Sequence, residues 1–165
     1  MSREDKKRKV SPYVPTTIKR HVHELAVQLR TSDGDAGTRL TMTAMNDFGI
    51  LQRMGPYLSR SYAFGSSLFV GHRHHENLDE LINPGGEVLE RLPMRFIWDD
   101  WSLLDALGFA LGRPVAHAAA ALLRLAYAEP RIAQAIAPGF HTRSEYAFRE
   151  ETAWDSLIRP SASRG

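Results

Sequence analysis

The chain of 165 residues contains no cysteine and carries little net charge. The absence of cysteine excludes a disulfide framework, a thiol nucleophile and cysteine ligands for a metal. No apolar run approaches the roughly 20 residues that span a bilayer, and the charged amino terminus is not followed by the apolar core of a secretory signal. These absences predict a cytoplasmic protein. Lysine and arginine number 21 against 19 aspartate and glutamate residues, so any basic surface must be local.

Catalytic motifs are also missing. Gly85-Gly86 is typical of a turn, and Gly65-Ser66-Ser67 lacks the lysine of a nucleotide-binding loop. There is no Gly-x-Ser-x-Gly nucleophile elbow. Tyr57 and Tyr62 lack the clustered histidines or arginines that a tyrosine nucleophile needs around it, and a helix start accounts for the acidic pair Asp99-Asp100. The sequence therefore predicts a protein that is not an enzyme.

The stretch Arg91–Tyr127 shows the clearest pattern of polar and apolar residues in the chain. Its first six residues alternate in character. This period of two is typical of a short strand with one basic face and one apolar face. The first side contains Arg91, Pro93 and Arg95, and the second contains Leu92, Met94 and Phe96.

Two helices are predicted after this strand. Asp99 or Asp100 offers a side-chain cap for the first helix, and Gly112 suits its left-handed end. Pro114 suits the first turn of the second helix, which runs from Val115 to about Glu129 and is apolar enough to be buried. Such a unit of about 40 residues cannot enclose a core alone and needs a partner. The apolar residues at helical spacing in the first helix are Trp101, Leu104, Leu107 and Leu111.

A strand, a helix ending in Gly112-Arg113 and a second helix directly afterwards resemble a ribbon-helix-helix unit. This is the fold of many small bacterial and phage DNA-binding repressors. In that family two copies pair their strands into an antiparallel ribbon that enters the major groove, and the amino end of the second helix contacts a phosphate. The resemblance implies a mainly α fold with a short antiparallel β-ribbon, to which this chain adds a C-terminal helix.

The resemblance also implies a set of DNA contacts. Arg91 and Arg95 would read base edges from the outward face of the ribbon. The family often has serine or threonine where Pro114 stands, so the phosphate contact would be left to the backbone amides of Val115 and Ala116 and to the side chain of Arg113.

The region 10–57 repeats the strand-helix-helix pattern. Thr16 or Thr17 can cap a first helix, and a second helical pattern runs from Thr38 or Arg39 to about Tyr57, after a polar loop at Thr31–Ala36. This arrangement resembles conjugation accessory proteins with tandem ribbon-helix-helix units, in which one chain can form the whole ribbon. Proline in the strand and the long loop depart from that pattern, and the alternative is a plain helical hairpin packed on the other unit. In the strand, Lys9, Ser11 and Tyr13 alternate with Val10, Pro12 and Val14.

Five segments follow from these patterns: a basic arm (1–9), a first unit (10–57), a connecting segment (58–90), a second unit (91–129) and a C-terminal helix with a tail (130–165). His72, His74 and His75 in the connecting segment favour a solvated basic loop over a metal site, because no cysteine accompanies them. His21 and His23 are expected at the surface. No cofactor is expected.

The predicted function is duplex DNA binding by a dimer or larger assembly, as a repressor, a partition protein or a transfer-origin accessory factor. The predicted base-reading residues are Arg91, Arg95, Lys9, Ser11 and Tyr13. The predicted phosphate contacts are Lys6, Lys7, Arg8, Arg39, Arg113 and the amide of Val115. The alternative function is a protein-interaction adaptor or antitoxin-like module, which would use the apolar second helix and the aromatic tail segment Tyr146–Ile158.

Overall fold

The computed structural model describes residues 6–141, and this part of the chain is mainly helical with three short antiparallel strand pairs. The predicted tail helix Glu145–Ile158 lies outside the described residues. The strands are β1 (Arg8–Val10), β2 (Tyr13–Pro15), β3 (Tyr62–Phe64), β4 (Ser67–Phe69), β5 (Leu89–Arg91) and β6 (Met94–Phe96). The helices are α1 (Thr16–Leu29), α2 (Asp33–Met45), α3 (Phe48–Met54), α4 (Leu78–Ile82), α5 (Trp98–Leu111), α6 (Val115–Ala128) and α7 (Pro130–Ile136), with a 3-10 turn at Gly55–Tyr57.

The first and last strands form one interrupted ribbon within the chain. β1 pairs with β6 and β2 pairs with β5, both antiparallel. The register is continuous, because Val10 and Tyr13 are three positions apart and so are their partners, Met94 and Arg91. The amide of Leu92 donates to the carbonyl of Pro12 at 2.9 Å and bridges the two stretches. The regular ladder stops there because a proline has no amide to donate.

The chain contains two strand-helix-helix units related by a constant offset of 82 residues. Thr16 opens α1 and Trp98 opens α5, and these two positions are 82 apart. The same offset separates Asp33 and Val115, which open α2 and α6. Each unit ends in a further seven-residue helix, α3 or α7. The weaker sequence pattern of the first unit therefore folds as the second unit does, and not as a plain helical hairpin.

The first helix of each unit begins without a side-chain cap, so both predicted caps are wrong. Pro15 and Ile97 occupy the capping positions. The hydroxyl of Thr16 donates to the Val88 carbonyl at 3.0 Å, which ties α1 to the connecting segment. Asp99 and Asp100 lie in the first turn of α5, where their charge complements the helix dipole.

Both first helices end in the left-handed conformation and are followed by short linkers. Gly112 has φ of 66°, as predicted, and Arg30 occupies the same place in the first unit with φ of 56°. α2 begins at Asp33 and not at Thr38 or Arg39, so the predicted long loop is three residues, 30–32. Ser32 accounts for the early start, because its side chain accepts from the amide of Asp35 at 3.1 Å.

The two second helices, α2 and α6, pack against each other in the core. The length of α6 agrees with prediction, and its middle, Ala118–Leu123, is fully buried. Small alanine side chains allow close approach to the helices around it. Within residues 6–141 no single helix is long and apolar enough to cross a membrane; α5 and α6 pass that test only as a pair, and they meet at 94°.

The start of α2 lies directly against the ribbon at Gly34. A Cβ atom on Gly34 would lie 2.6 Å from the carbonyl oxygen of Pro93, which is backbone and cannot turn aside. We expect Gly34→Ala to lower the free energy of unfolding by about 1–3 kcal/mol, although alanine favours helix by about 1 kcal/mol. Urea unfolding measures this. The matched control is Gly85→Ala, whose Cβ would approach only the Glu87 side chain, at 4.0 Å. A Gly34→Ala protein as stable as the parent would contradict this packing.

Ion pairs tie each unit to the third helix of the other. Asp47 caps α3 and accepts from Arg131 of α7 at 2.9 Å. Arg53 of α3 donates to Glu129, which precedes α7, also at 2.9 Å. The bonds from Arg131 hold the pKa of Asp47 at about 2, below its ordinary value of 3.8. The continuous helix predicted to Tyr57 is wrong, since α2 ends at Met45 and the Asp47 cap restarts the chain as α3.

The connecting segment forms a hairpin and one short helix. β3 and β4 pair across the turn at Gly65-Ser66. α4 follows the side-chain cap of Asn77, which accepts from the amide of Asp79 at 3.0 Å. His72, His74 and His75 are exposed, and residues 6–141 contain no group of three or more histidine, aspartate or glutamate side chains placed to hold a metal.

Candidate nucleic-acid interface

The outward face of the ribbon brings all five predicted base-reading side chains together. Residues paired across an antiparallel ribbon point to the same side, and so do residues two apart along one strand. Lys9 is paired with Arg95, and Tyr13 is paired with Arg91. Ser11 lies between Lys9 and Tyr13. All these side chains are exposed except that of Ser11, which is half-buried.

The opposite face of the ribbon is apolar and anchors it to the helices. Its side chains are buried, in agreement with the predicted alternation, and α2 and α6 both contact the ribbon. Burying a strand face in this way fixes the register, since a slip of one residue would turn the apolar set outward. The register in turn fixes which charges face outward. The buried side chains are Val10, Pro12, Val14, Leu92, Met94 and Phe96.

The dimensions of the face suit a DNA groove. Two paired strands lie about 4.8 Å apart, and a two-stranded ribbon fits the major groove, which is about 12 Å wide. Arg91 and Arg95 are four residues apart on one strand, so their Cα atoms are separated by about 13 Å. This distance corresponds to roughly four base-pair steps of about 3.4 Å. Two arginines at this spacing can reach different base pairs of one groove.

Neighbouring residues hold the backbone of the ribbon in place. Lys19 donates to the carbonyl of Arg91 at 2.9 Å and lies 3.8 Å from the carboxylate of Glu90. Thr38 donates to the carbonyl of Arg95 at 3.2 Å. Both contacts bring a first-unit helix to a second-unit strand. Sequence reasoning missed them because the partners are 57 to 72 positions apart and no local pattern marks them.

Arg8 does not face outward with the base-reading residues. Its guanidinium lies 4.2 Å from the ring centre of Trp98 and 4.3 Å from that of Trp101, and the two indole rings are stacked. Arg8 pairs with Phe96 on the inner side of the ribbon. Its charge therefore packs the ribbon onto α5, while the side chain stays exposed, and the phosphate contact predicted for it stays a prediction. Lys6 and Lys7, just before β1, are exposed.

Two other predicted phosphate contacts are engaged within the protein. Arg113 donates to both carboxylate oxygens of Asp79, at 2.9 and 3.1 Å, and so joins the start of α6 to α4. Arg39 pairs with Asp35 one turn earlier on α2, at 3.1 Å. At the start of α6 the amides of Val115 and Ala116 precede the first helical hydrogen bonds, as helix geometry requires. The backbone part of the predicted clamp is therefore better placed than its arginine.

A cleft of about 540 Å³ lies beside the ribbon where α2 begins. Its lining mixes charges of both signs: Lys7, Lys19 and Arg95 are basic, and Asp33 and Asp35 are acidic. His23 also contacts Asp33, at 2.9 Å. The cleft therefore brings residues of the ribbon together with two carboxylates at the start of α2.

Comparison with known proteins adds no relative from which a function could be transferred. No family model, curated protein or solved structure matches the chain.

Proposed function

We propose that this chain is a tandem ribbon-helix-helix protein that binds duplex DNA by inserting its ribbon into the major groove. The observation that carries the proposal is the outward face of the intrachain ribbon. Lys9, Ser11, Tyr13, Arg91 and Arg95 project from it side by side, while the opposite face is buried. The constant offset between the two strand-helix-helix units supports the tandem assignment.

The roles of the side chains follow from their chemistry. Arg91 and Arg95 have planar guanidinium groups that can donate two parallel hydrogen bonds to O6 and N7 of guanine. Lys6 and Lys7 supply charge at the edge of the face and suit phosphate contacts that do not depend on sequence. The Ser11 hydroxyl oxygen is buried and has no partner among the described residues, so a base contact from this position would require the hydroxyl to turn outward.

The biological role proposed for this binding is repression, partition or preparation of a transfer origin. Association of several chains on DNA is part of the proposal, but it is not needed to complete the ribbon, whose strands pair within one chain. The apolar side chains of α6, which the adaptor function would use, are packed in the core. The tail segment that would serve an adaptor lies outside the described residues.

Fluorescence anisotropy of a labelled random duplex across a salt series tests the proposal. Each neutralised phosphate contributes about −0.9 to the slope of log affinity against log salt concentration. We expect a slope steeper than about −2, and we expect Lys7→Ala to make it shallower by about one for every duplex sequence.

The matched control is Arg53→Ala, which removes one positive charge from α3. This helix follows the carboxyl end of α2, roughly 18 Å along that helix from the ribbon, so the slope should stay at the parent value. An absence of binding at low salt, or binding that ignores salt, would refute DNA recognition.

A further inference from the structure

We propose that a single chain reads a duplex site that is not palindromic and binds it in one orientation. This inference rests on the proposed function, since it concerns which DNA the ribbon face prefers. Both strands of the ribbon belong to one chain and carry different outward side chains. A ribbon made by two identical chains would present the same side chains twice about a two-fold axis, and would match a palindrome.

The offset of 82 residues shows how far the two strands depart from symmetry. Positions that would be identical in a symmetric ribbon hold different side chains at all three outward places. One exchange keeps a positive charge, but another replaces an arginine by a neutral phenol. The equivalent positions are Lys9 and Arg91, Ser11 and Pro93, and Tyr13 and Arg95.

The two ends of the ribbon therefore offer different chemistry to the groove. At one end Lys9 and Arg95 are paired, and both suit the O6 and N7 acceptors of guanine. At the other end Tyr13 and Arg91 are paired, so one cation stands beside an aromatic ring. The Tyr13 side chain is 61% exposed, enough for its ring to contact a thymine methyl group. The preferred half-site should contain more guanine contacts at the Lys9–Arg95 end.

The helix starts that flank the ribbon, those of α2 and α6, also differ in charge. The start of α2 carries Asp33 and Asp35, whose carboxylates line the cleft that also contains Arg95. At the offset of 82, the equivalent positions in α6 are Val115 and His117. A phosphate near the first flank meets the carboxylates of Asp33 and Asp35, whereas one near the second meets Arg113 already paired with Asp79. Both the base-reading face and the phosphate surroundings are thus directional.

The test begins with selection of a preferred site from random duplexes, using the full chain. Short duplexes that accommodate one ribbon are then compared by anisotropy: the selected site and the two palindromes made by duplicating either half. The ribbon spans eight residues on each strand, or about 26 Å, which is roughly eight base pairs. We expect the selected site to bind about tenfold or more tightly than either palindrome, since a mismatched contact costs about 1–3 kcal/mol.

A symmetrised protein provides the matched variant. The double substitution Lys9→Arg and Tyr13→Arg gives both ends a pair of arginines, at two exposed positions where the fold should tolerate the change. We expect this variant to prefer the palindrome built from the half-site read by Lys9 and Arg95 in the parent. Circular dichroism confirms that both proteins are equally folded.

The inference would be overturned if a palindrome bound the parent as tightly as the selected site, or if the symmetrised variant kept the parent's preference. Salt-dependent binding without any enriched sequence would also overturn it, while leaving DNA binding intact. Failure of the parent to bind any duplex would instead refute the proposed function, so the two failures are distinguishable.

Discussion

Replacing Arg91 and Arg95 together by alanine is expected to lower the affinity for a preferred duplex by about 100-fold, because each bidentate arginine–guanine contact contributes about 1–3 kcal/mol of discrimination. The affinity for random duplexes should fall much less, since only the phosphate attraction of two charges is lost there. Both side chains are exposed on the outward face, so their removal leaves the buried face of the ribbon unchanged. Anisotropy on the preferred and the random duplex measures both effects.

The matched control for this prediction removes two arginines from the third helices of the two units. Arg53 and Arg131 lie in α3 and α7 and pair with Glu129 and Asp47. The Arg53→Ala/Arg131→Ala protein has the same net charge as the ribbon variant and should keep its preference for the selected site. Equal losses on preferred and random duplexes for the ribbon variant would show that Arg91 and Arg95 do not read bases.

Acidification should destabilise the protein through His21. The ring is only 2% exposed, neither nitrogen has a hydrogen-bond partner among the described residues, and its edge contacts are to Tyr127 and Phe140. Burial lowers its pKa from 6.5 to about 4. The unfolded chain therefore binds more protons than the folded one between these values. The free energy of unfolding should fall by up to about 3 kcal/mol as pH drops from 7 to 4.

Variants at two histidines separate this effect from general acid sensitivity. His21→Phe keeps an aromatic ring in the site and removes its titration, so the loss between pH 7 and pH 4 should shrink. His23→Gln alters an exposed histidine on the same helix and leaves His21 in place, so the loss assigned to His21 should remain. The low pKa of Asp47 acts in a different window, because its stabilisation is lost only as pH falls from 3.8 towards 2. Urea unfolding at several pH values would refute this account if the parent and His21→Phe profiles coincide.

The elements that sequence reasoning placed well are those specified by local patterns. The alternation from Arg91 to Phe96 reflects a strand with one buried face, and the structure buries the expected residues. Gly112 ends α5 in the left-handed conformation because no side chain opposes it. Helix α6 was likewise predicted from its own apolar residues. In each case the deciding interactions lie within a few residues of one another.

In the first unit, the start of α2 and the length of the loop before it were predicted wrongly, because a glycine there lies inside the helix. The loop predicted at Thr31–Ala36 contains Gly34, but the structure uses this glycine inside α2, where the helix approaches the ribbon closely. The cap from Ser32 then starts the helix earlier than the apolar pattern implied. A glycine that serves close packing cannot be distinguished by sequence from one that serves a turn until its neighbour in space is known.

Some side chains have surroundings that sequence reasoning did not anticipate, because the contacts are distant in sequence. His21 was expected at the surface, but it is buried by Tyr127 and Phe140, more than 100 positions away. Arg8 is drawn to the two tryptophans of α5, and Arg113 is drawn to Asp79. A basic residue near a candidate interface is free for DNA only if no aromatic ring or carboxylate holds it. That condition is visible in the structure and not in the local sequence.

Photocrosslinking tests most directly whether the outward ribbon face is the DNA interface. Tyr13 on that face and Phe48 at the start of α3 are both exposed aromatic residues, at 61% and 56%. Each is replaced in turn by benzoylphenylalanine, and the protein is irradiated with a labelled duplex. The account predicts a DNA adduct from the position of Tyr13 and little or none from that of Phe48. An adduct from Phe48 without one from Tyr13 would contradict it.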